Sequence, residues 1–296
     1  PTERLLQDLG SWSPTVRHRA AAALAQSKQA PIAELTALLE GKNALARYGA
    51  AQALEEFGAR AAPAVPALTA VLGGDDLWLS IRAAYALAGI GKAARSVAVP
   101  VLLKLVAEDR PNDPRGDRAR YFAFVLFLEG HLDDGPKRGL LADSLDGVDR
   151  ALLYPAVRKI LRLPDGFARS SVAHIYRKLT DVEREPIWAD IIKAAAEPAP
   201  SGEMFSDGVR LDGLRALGRA KAPEGMRVAL DYARTQNPWD SQDRMSEIMA
   251  VLVSYGVEAK VHLPELRTLA QACRDEQDFP DDCKIKKTKA VEAAIA

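Results

Sequence analysis

The sequence predicts an all-α chain, a solenoid of about seven stacked helix pairs. Three observations carry this. An alanine-rich nine-residue pattern recurs along the chain, a short polar residue stands three places before most copies, and a second leucine-rich segment follows each copy. Composition agrees: aromatic residues make up only 6% of 296 residues, and alanine and leucine dominate. That bias favours helices over strands.

The pattern is explicit. VRHRAAAAL (16–24), ARYGAAQAL (46–54), LSIRAAYAL (79–87) and VRLDGLRAL (209–217) superimpose without gaps, and end on Leu24, Leu54, Leu87 and Leu217. RARYFAFVL (118–126), ARSSVAHIY (168–176) and DRMSEIMAV (243–251) are weaker copies. From one start to the next the spacings are 30, 33, 39, 50, 41 and 34 residues, so the period loosens in the middle. Ser13, Asn43, Asp76, Asp165, Ser206 and Asp240 precede six of the copies. Their side chains suit an N-cap, where an oxygen accepts from the unpaired N–H groups of the first helical turn. Arg115 stands at that place before the fourth copy and breaks the pattern.

Each copy predicts a first helix, and the segment after it predicts a second. VPALTAVL (65–72), VPVLLKLV (99–106) and LPELRTLA (263–270) share one form, with Pro66, Pro100 and Pro264 where a helix is expected to begin. IAELTALL (32–39) is the same segment without the proline. Gly58, Gly89 and Gly91 are expected at or just past helix ends, where positive φ is needed. A helix pair of this size cannot bury its apolar face alone and must stack on its neighbours. Small residues such as Ala83, Ala84 and Ala86 then let helix axes approach, while Leu87 and Ile90 fill the layer.

The helix V-R-x-x-A-A-x-A-L followed by V-P-x-L resembles HEAT repeats, in particular the short bacterial kind known as phycobilisome-lyase-type HEAT-like repeats. The likeness is strong over 11–109, good over 204–274 and weak over 110–200. It implies a right-handed α-solenoid. The expected organisation is one domain over 1–296: residues 1–10 as the end of a preceding repeat, 11–109 regular, 110–203 irregular, 204–274 regular and 275–296 a C-terminal cap. TERLLQDLG (2–10) reads as a second helix without its first, so the chain is expected to be the C-terminal part of a longer protein.

Function is far less legible. Forty basic residues balance forty acidic ones. That argues against an unspecific nucleic-acid or membrane-surface binder, which needs a basic excess. No phosphate loop, nucleophile elbow, H-E-x-x-H or paired C-x-x-C is present. The four histidines, His18, His131, His174 and His262, are scattered over separate repeats. EGHLDD (129–134) offers Glu129, His131, Asp133 and Asp134 as ligands for a divalent cation, but a helix end with a polar loop accounts for it better. No metal, cofactor or catalytic residue is expected.

Binding candidates fall into two sets. Trp12 and Trp239 directly precede the caps Ser13 and Asp240, and Trp78 follows Asp76 by two places, so three tryptophans share one edge. They would form an aromatic binding rim for a peptide or a glycan. The preferred alternative has each packing over the neighbouring repeat, as an apolar residue before a cap staples a helix start. Trp188 is expected in the core. Arg17, Arg47, Arg210 and Arg244 recur at one position and are expected to bond across to the neighbouring repeat. The resemblance supplies the second set: HEAT-like arrays place their second helices on the concave side, which would put Lys104, Glu108, Glu265 and Arg267 on a ligand surface.

Cys273 and Cys283 are the only cysteines, and RDEQDFPDD separates them at the junction with the last helix. They predict a disulfide fastening the cap, worth about 2–3 kcal/mol for so short a loop. That would imply an oxidising compartment and export; the alternative is two thiols. The leading reading is a non-catalytic interaction or scaffolding module with a protein or peptide partner, no nucleic acid and no membrane span. The second is an accessory domain of a larger, secreted enzyme. The third is a HEAT-like enzyme such as a phycobilin lyase, which would need a deep pigment-sized pocket, or a DNA glycosylase, which would need a basic concave face.

Overall fold

In a computed structural model, the described residues are 2–72, 74–109, 141, 145–163, 169, 172–197, 203–236 and 244–296. They contain α-helices, short 3-10 turns and no strand. The chain divides into two compact units, residues 1–156 and 157–296.

In the first unit, α1 (Thr2–Asp8), α2 (Pro14–Ala25), α4 (Ala44–Phe57) and α6 (Leu77–Ile90) pack side by side. Behind them lie α3 (Ile32–Glu40), α5 (Val65–Val71) and α7 (Lys92–Ala107), and α8 (Arg150–Leu161) starts in this unit. Asn43 accepts from Leu45 and Ala46, and Asp76 from Trp78 and Leu79, so both cap as expected. Ser13 stands at the cap of α2 without a side-chain bond; Ser11 accepts from its amide instead.

Leu24, Leu54 and Leu87 are fully buried in this unit, as is Leu217 in the second. Each removes about 2 kcal/mol worth of apolar side chain from water. Ala83, Ala84 and Ala86 are fully buried between them, so their smallness sets the helix spacing.

Two turn expectations fail. Of the three glycines assigned positive φ, only Gly58 has it (54°); Gly89 lies inside α6, and Gly91 is extended at 162°. The second helix of the third repeat starts at Lys92, which leaves Pro100 inside it. Alanines 93 and 94 favour helix there, and the cost is the amide that Pro100 cannot offer to Ser96. In the second and seventh repeats 3-10 turns, Gly58–Ala64 and Gly256–His262, run up to the helices that hold Pro66 and Pro264.

The second unit contains the end of α8, then α9 (Ala173–Lys178), α10 (Asp181–Arg184), α11 (Trp188–Ala196), α12 (Glu203–Ala220), α13 (Glu224–Arg234), α14 (Met245–Ser254), α15 (Leu263–Asp275) and α16 (Asp281–Ile295). First helices α9, α12 and α14 pack in sequence, and α16 closes on α14 and α15. Helix α12 begins at Glu203, so Ser206 lies within it and is not its cap. Asp165 and Asp240 lie outside the described residues. Trp188 opens α11 half-buried, short of the core position expected for it.

Candidate functional site

The side-by-side packing of α2, α4 and α6 brings their N-termini to one edge. Trp12 precedes the cap of α2 and is 84% exposed, against the packed position preferred for it on sequence grounds. Val16 and Leu45, in the first turns of α2 and α4, are exposed too, and Trp78, in the first turn of α6, is half-buried. Leu45 and Trp78 each stand two places after their caps, a coincidence visible in the sequence but overlooked in favour of the tryptophans. Trp239 lies outside the described residues.

The backbone beneath Trp12 is fixed. Arg17, almost fully buried, donates from Nη1 to the carbonyls of Ser11 (2.7 Å) and Trp12 (3.1 Å). Its guanidinium lies 5.8 Å from the Tyr48 ring centroid, over α4. An exposed indole on a pinned base loses little conformational freedom when a partner covers it, which is what makes aromatic anchors effective at interfaces.

The recurring arginines do structural work. Arg47 donates to the Leu39 carbonyl at 2.9 Å and Arg210 to that of Ala195 at 3.1 Å, with its guanidinium 3.8 Å from the Tyr232 ring centroid. Arg244 sits 3.9 Å from Glu247. Other charges also tie repeat to repeat. Arg82 meets Glu55 at 2.5 Å; Asp212 holds Arg177 at 2.5 Å and Arg215 at 3.0 Å; Arg215 reaches on to Glu247 at 2.9 Å.

The second-helix candidates fall in separate units. Lys104 is exposed in the last turn of α7, and Glu108 is exposed at its C-cap, in the first unit. Arg267 is exposed on α15 of the second. Glu265 is engaged within the chain by His262 (2.9 Å), Arg227 (3.2 Å) and Arg234 (2.5 Å). The hydrogen bond with His262, then that with Arg234, holds its carboxyl down at about 2.

The first unit also holds an open cavity of about 580 Å³ between α7 and the start of α8. Its walls are largely apolar, including Val99, Leu103 and Leu152, with Arg95, Asp146 and Asp149 among the polar lining. Glu129, His131, Asp133 and Asp134 lie outside the described residues, and no metal-binding group of His, Cys, Asp or Glu occurs among those described. Cys273 and Cys283 are buried thiols on the adjacent helices α15 and α16.

Residues 2–88 and 32–121 match the family model of HEAT repeats. This stretch is built of HEAT repeats. The HEAT pairs make this stretch a helical-repeat scaffold, and no described helix is long and apolar enough to cross a membrane. No curated protein matches the sequence. Among solved structures, the chain is similar to the complex of CpcE and CpcF of phycocyanin lyase from Nostoc sp. PCC7120, at 18% identity over 99% of this chain and 94% of that one. The TM-score is 0.36, and no function is carried over from it.

Proposed function

We propose that the chain is a non-catalytic protein-interaction module whose contact surface is the edge formed by Trp12, Val16, Leu45 and Trp78. The observation that carries this reading is Trp12, 84% exposed above a backbone that Arg17 pins. A large apolar ring standing in water on a fixed backbone is costly unless something covers it in use. The engagement of Glu55, Asp212 and Glu265 in pairs within the chain supports the non-catalytic part, because those carboxylates hold the repeats in place. The partner is a protein or peptide with an apolar face.

Photo-crosslinking tests it. A photoreactive residue replaces Trp12 or Leu45 in the cell, with Thr268 on exposed α15 surface as control. The expected result is one shared adduct from positions 12 and 45 that position 268 does not give. Trp12→Ala should abolish the Leu45 adduct while leaving the unfolding free energy within about 0.5 kcal/mol of wild type, as for an exposed side chain. Equal adducts from all three positions, or none from 12 and 45, would remove the reading.

A further inference from the structure

Gly58 follows α4 with φ 54°, and Gly256 lies just past α14 with φ 64°. The end of α12 breaks this habit. Lys221 stands there with φ 55°, the one non-glycine residue of positive φ among those described. A side chain in this conformation is strained, and such strain concentrates where a side chain has work to do. The Lys221 ammonium donates to the Ser254 carbonyl at the end of α14 and sits 5.6 Å from the Tyr255 ring centroid.

Lys221 borders a notch of about 490 Å³ between α12 and α14. Gly218, Ala250 and Val251 give it apolar walls. Arg215, Arg219 and Glu247 complete the charged lining. Arg215 is committed to Asp212 and Glu247, and Glu247 is further flanked by Arg244. Arg219 is exposed and makes no hydrogen bond or ion pair among the described residues. Its charge reaches Arg184, whose guanidinium is lowered by burial and, against the pull of Asp181, by Arg219. Glu224 and Glu258 act on Tyr255 and line no part of the notch.

We propose that this notch binds a phosphate monoester. Arg219 brings a charge with no ion-pair partner among the described residues, and two protons of the Lys221 ammonium remain for a ligand after the bond to Ser254. Together they match a group that carries about −1.5 to −2 at neutral pH, where one carboxylate would answer only half of that charge. A guanidinium fork and an ammonium are suited to phosphate oxygens. The apolar walls leave room for the body of the ester, within the roughly 300–1,000 Å³ of small-molecule sites. The ester is carried either by a small molecule or by a phosphorylated side chain. The site lies wholly within residues 157–296, and its test is independent of the apolar edge.

Calorimetric titration of the full chain at low salt decides it, with phenyl phosphate, phenol, and a serine peptide with and without phosphate. Phenyl phosphate is expected to bind at about 1 mM or tighter, and phenol not at all. Arg219→Gln should weaken it about tenfold, the loss of one charge-assisted contact, and Arg267→Gln, an exposed arginine elsewhere, should leave it unchanged. Tighter binding of the phosphopeptide than of phenyl phosphate would place the ester on a protein; the reverse order would assign a small molecule. Saturation by no phosphate compound below about 10 mM, equal binding of phenol, or full binding by Arg219→Gln would overturn the site.

Discussion

The hydroxyl of Tyr255 fills the space that a side chain at Gly225 would need. From the end of α14 it reaches into the first turn of α13 and donates to the Ala222 carbonyl at 2.8 Å. A methyl group at position 225 would collide with that hydroxyl and with Leu217. Gly225→Ala is therefore expected to destabilise the second unit by about 1–3 kcal/mol, as overpacking does. Tyr255→Phe should cost about 1 kcal/mol for the lost hydrogen bond, and should partly rescue Gly225→Ala. Urea midpoints of the two single variants and the double variant check this.

The same tyrosine predicts an alkaline limit. Burial, and after it the charges of Glu224 and Glu258, push its phenol up to about 12. The folded state therefore holds the proton more tightly than the unfolded chain, whose tyrosine titrates near 10. The stabilisation is complete below about pH 10 and disappears as pH rises from there to about 12. Thermal midpoints of wild type and Tyr255→Phe should converge across that window, and a constant difference would contradict the assignment.

Glu265 predicts the opposite limb. Its carboxyl is held near 2 by His262 and the two arginines, below an ordinary value of 4.5. The folded state releases this proton more readily than the unfolded one, so the contribution is present above about pH 4.5 and is lost as pH falls towards 2. Glu265→Gln should show a shallower loss of midpoint between those values than wild type. The exposure of the cluster implies that the effect shrinks in high salt.

Cys273 and Cys283 are expected to join under oxidising conditions and to tie the first turn of α16 to α15. Their Cα atoms must lie within about 7 Å for this. Thiol titration of the denatured, unreduced protein after mild oxidation should find no thiol, and the cross-link should raise the midpoint of the C-terminal cap. Two thiols per chain would refute the pairing.

The repeat pattern was readable because it is set by burial. Leu24, Leu54, Leu87 and Leu217 stand at one place in a periodic pattern, and any stack that buries one buries all. The structural role of Arg17, Arg47 and Arg210 was readable for the same reason. What escaped depends on contacts between distant residues. Whether Trp12 staples its helix or stands in water is decided by the room beside α2, and both outcomes suit the same local sequence. Lys287 stands in the lysine-rich run KIKKTK (284–289), yet it is fully buried, 5.5 Å from the Phe279 ring centroid. Tyr255 lies thirty residues beyond Gly225, so neither residue advertises the other. Lys221 left only a faint signal, a lysine where other repeats end a helix on glycine.

The bonds that arginine and serine make to carbonyls behind them set an order of events during synthesis. The ends of α3, α5 and α11 leave the carbonyls of Leu39, Leu72 and Ala195 to Arg47, Ser80 and Arg210, each in the helix that follows. A second helix leaving the ribosome thus carries an unanswered carbonyl until the next first helix has formed. Nascent repeats should therefore mature one step behind the growing chain, and a ribosome stalled between two pairs would display a last repeat that is still loose.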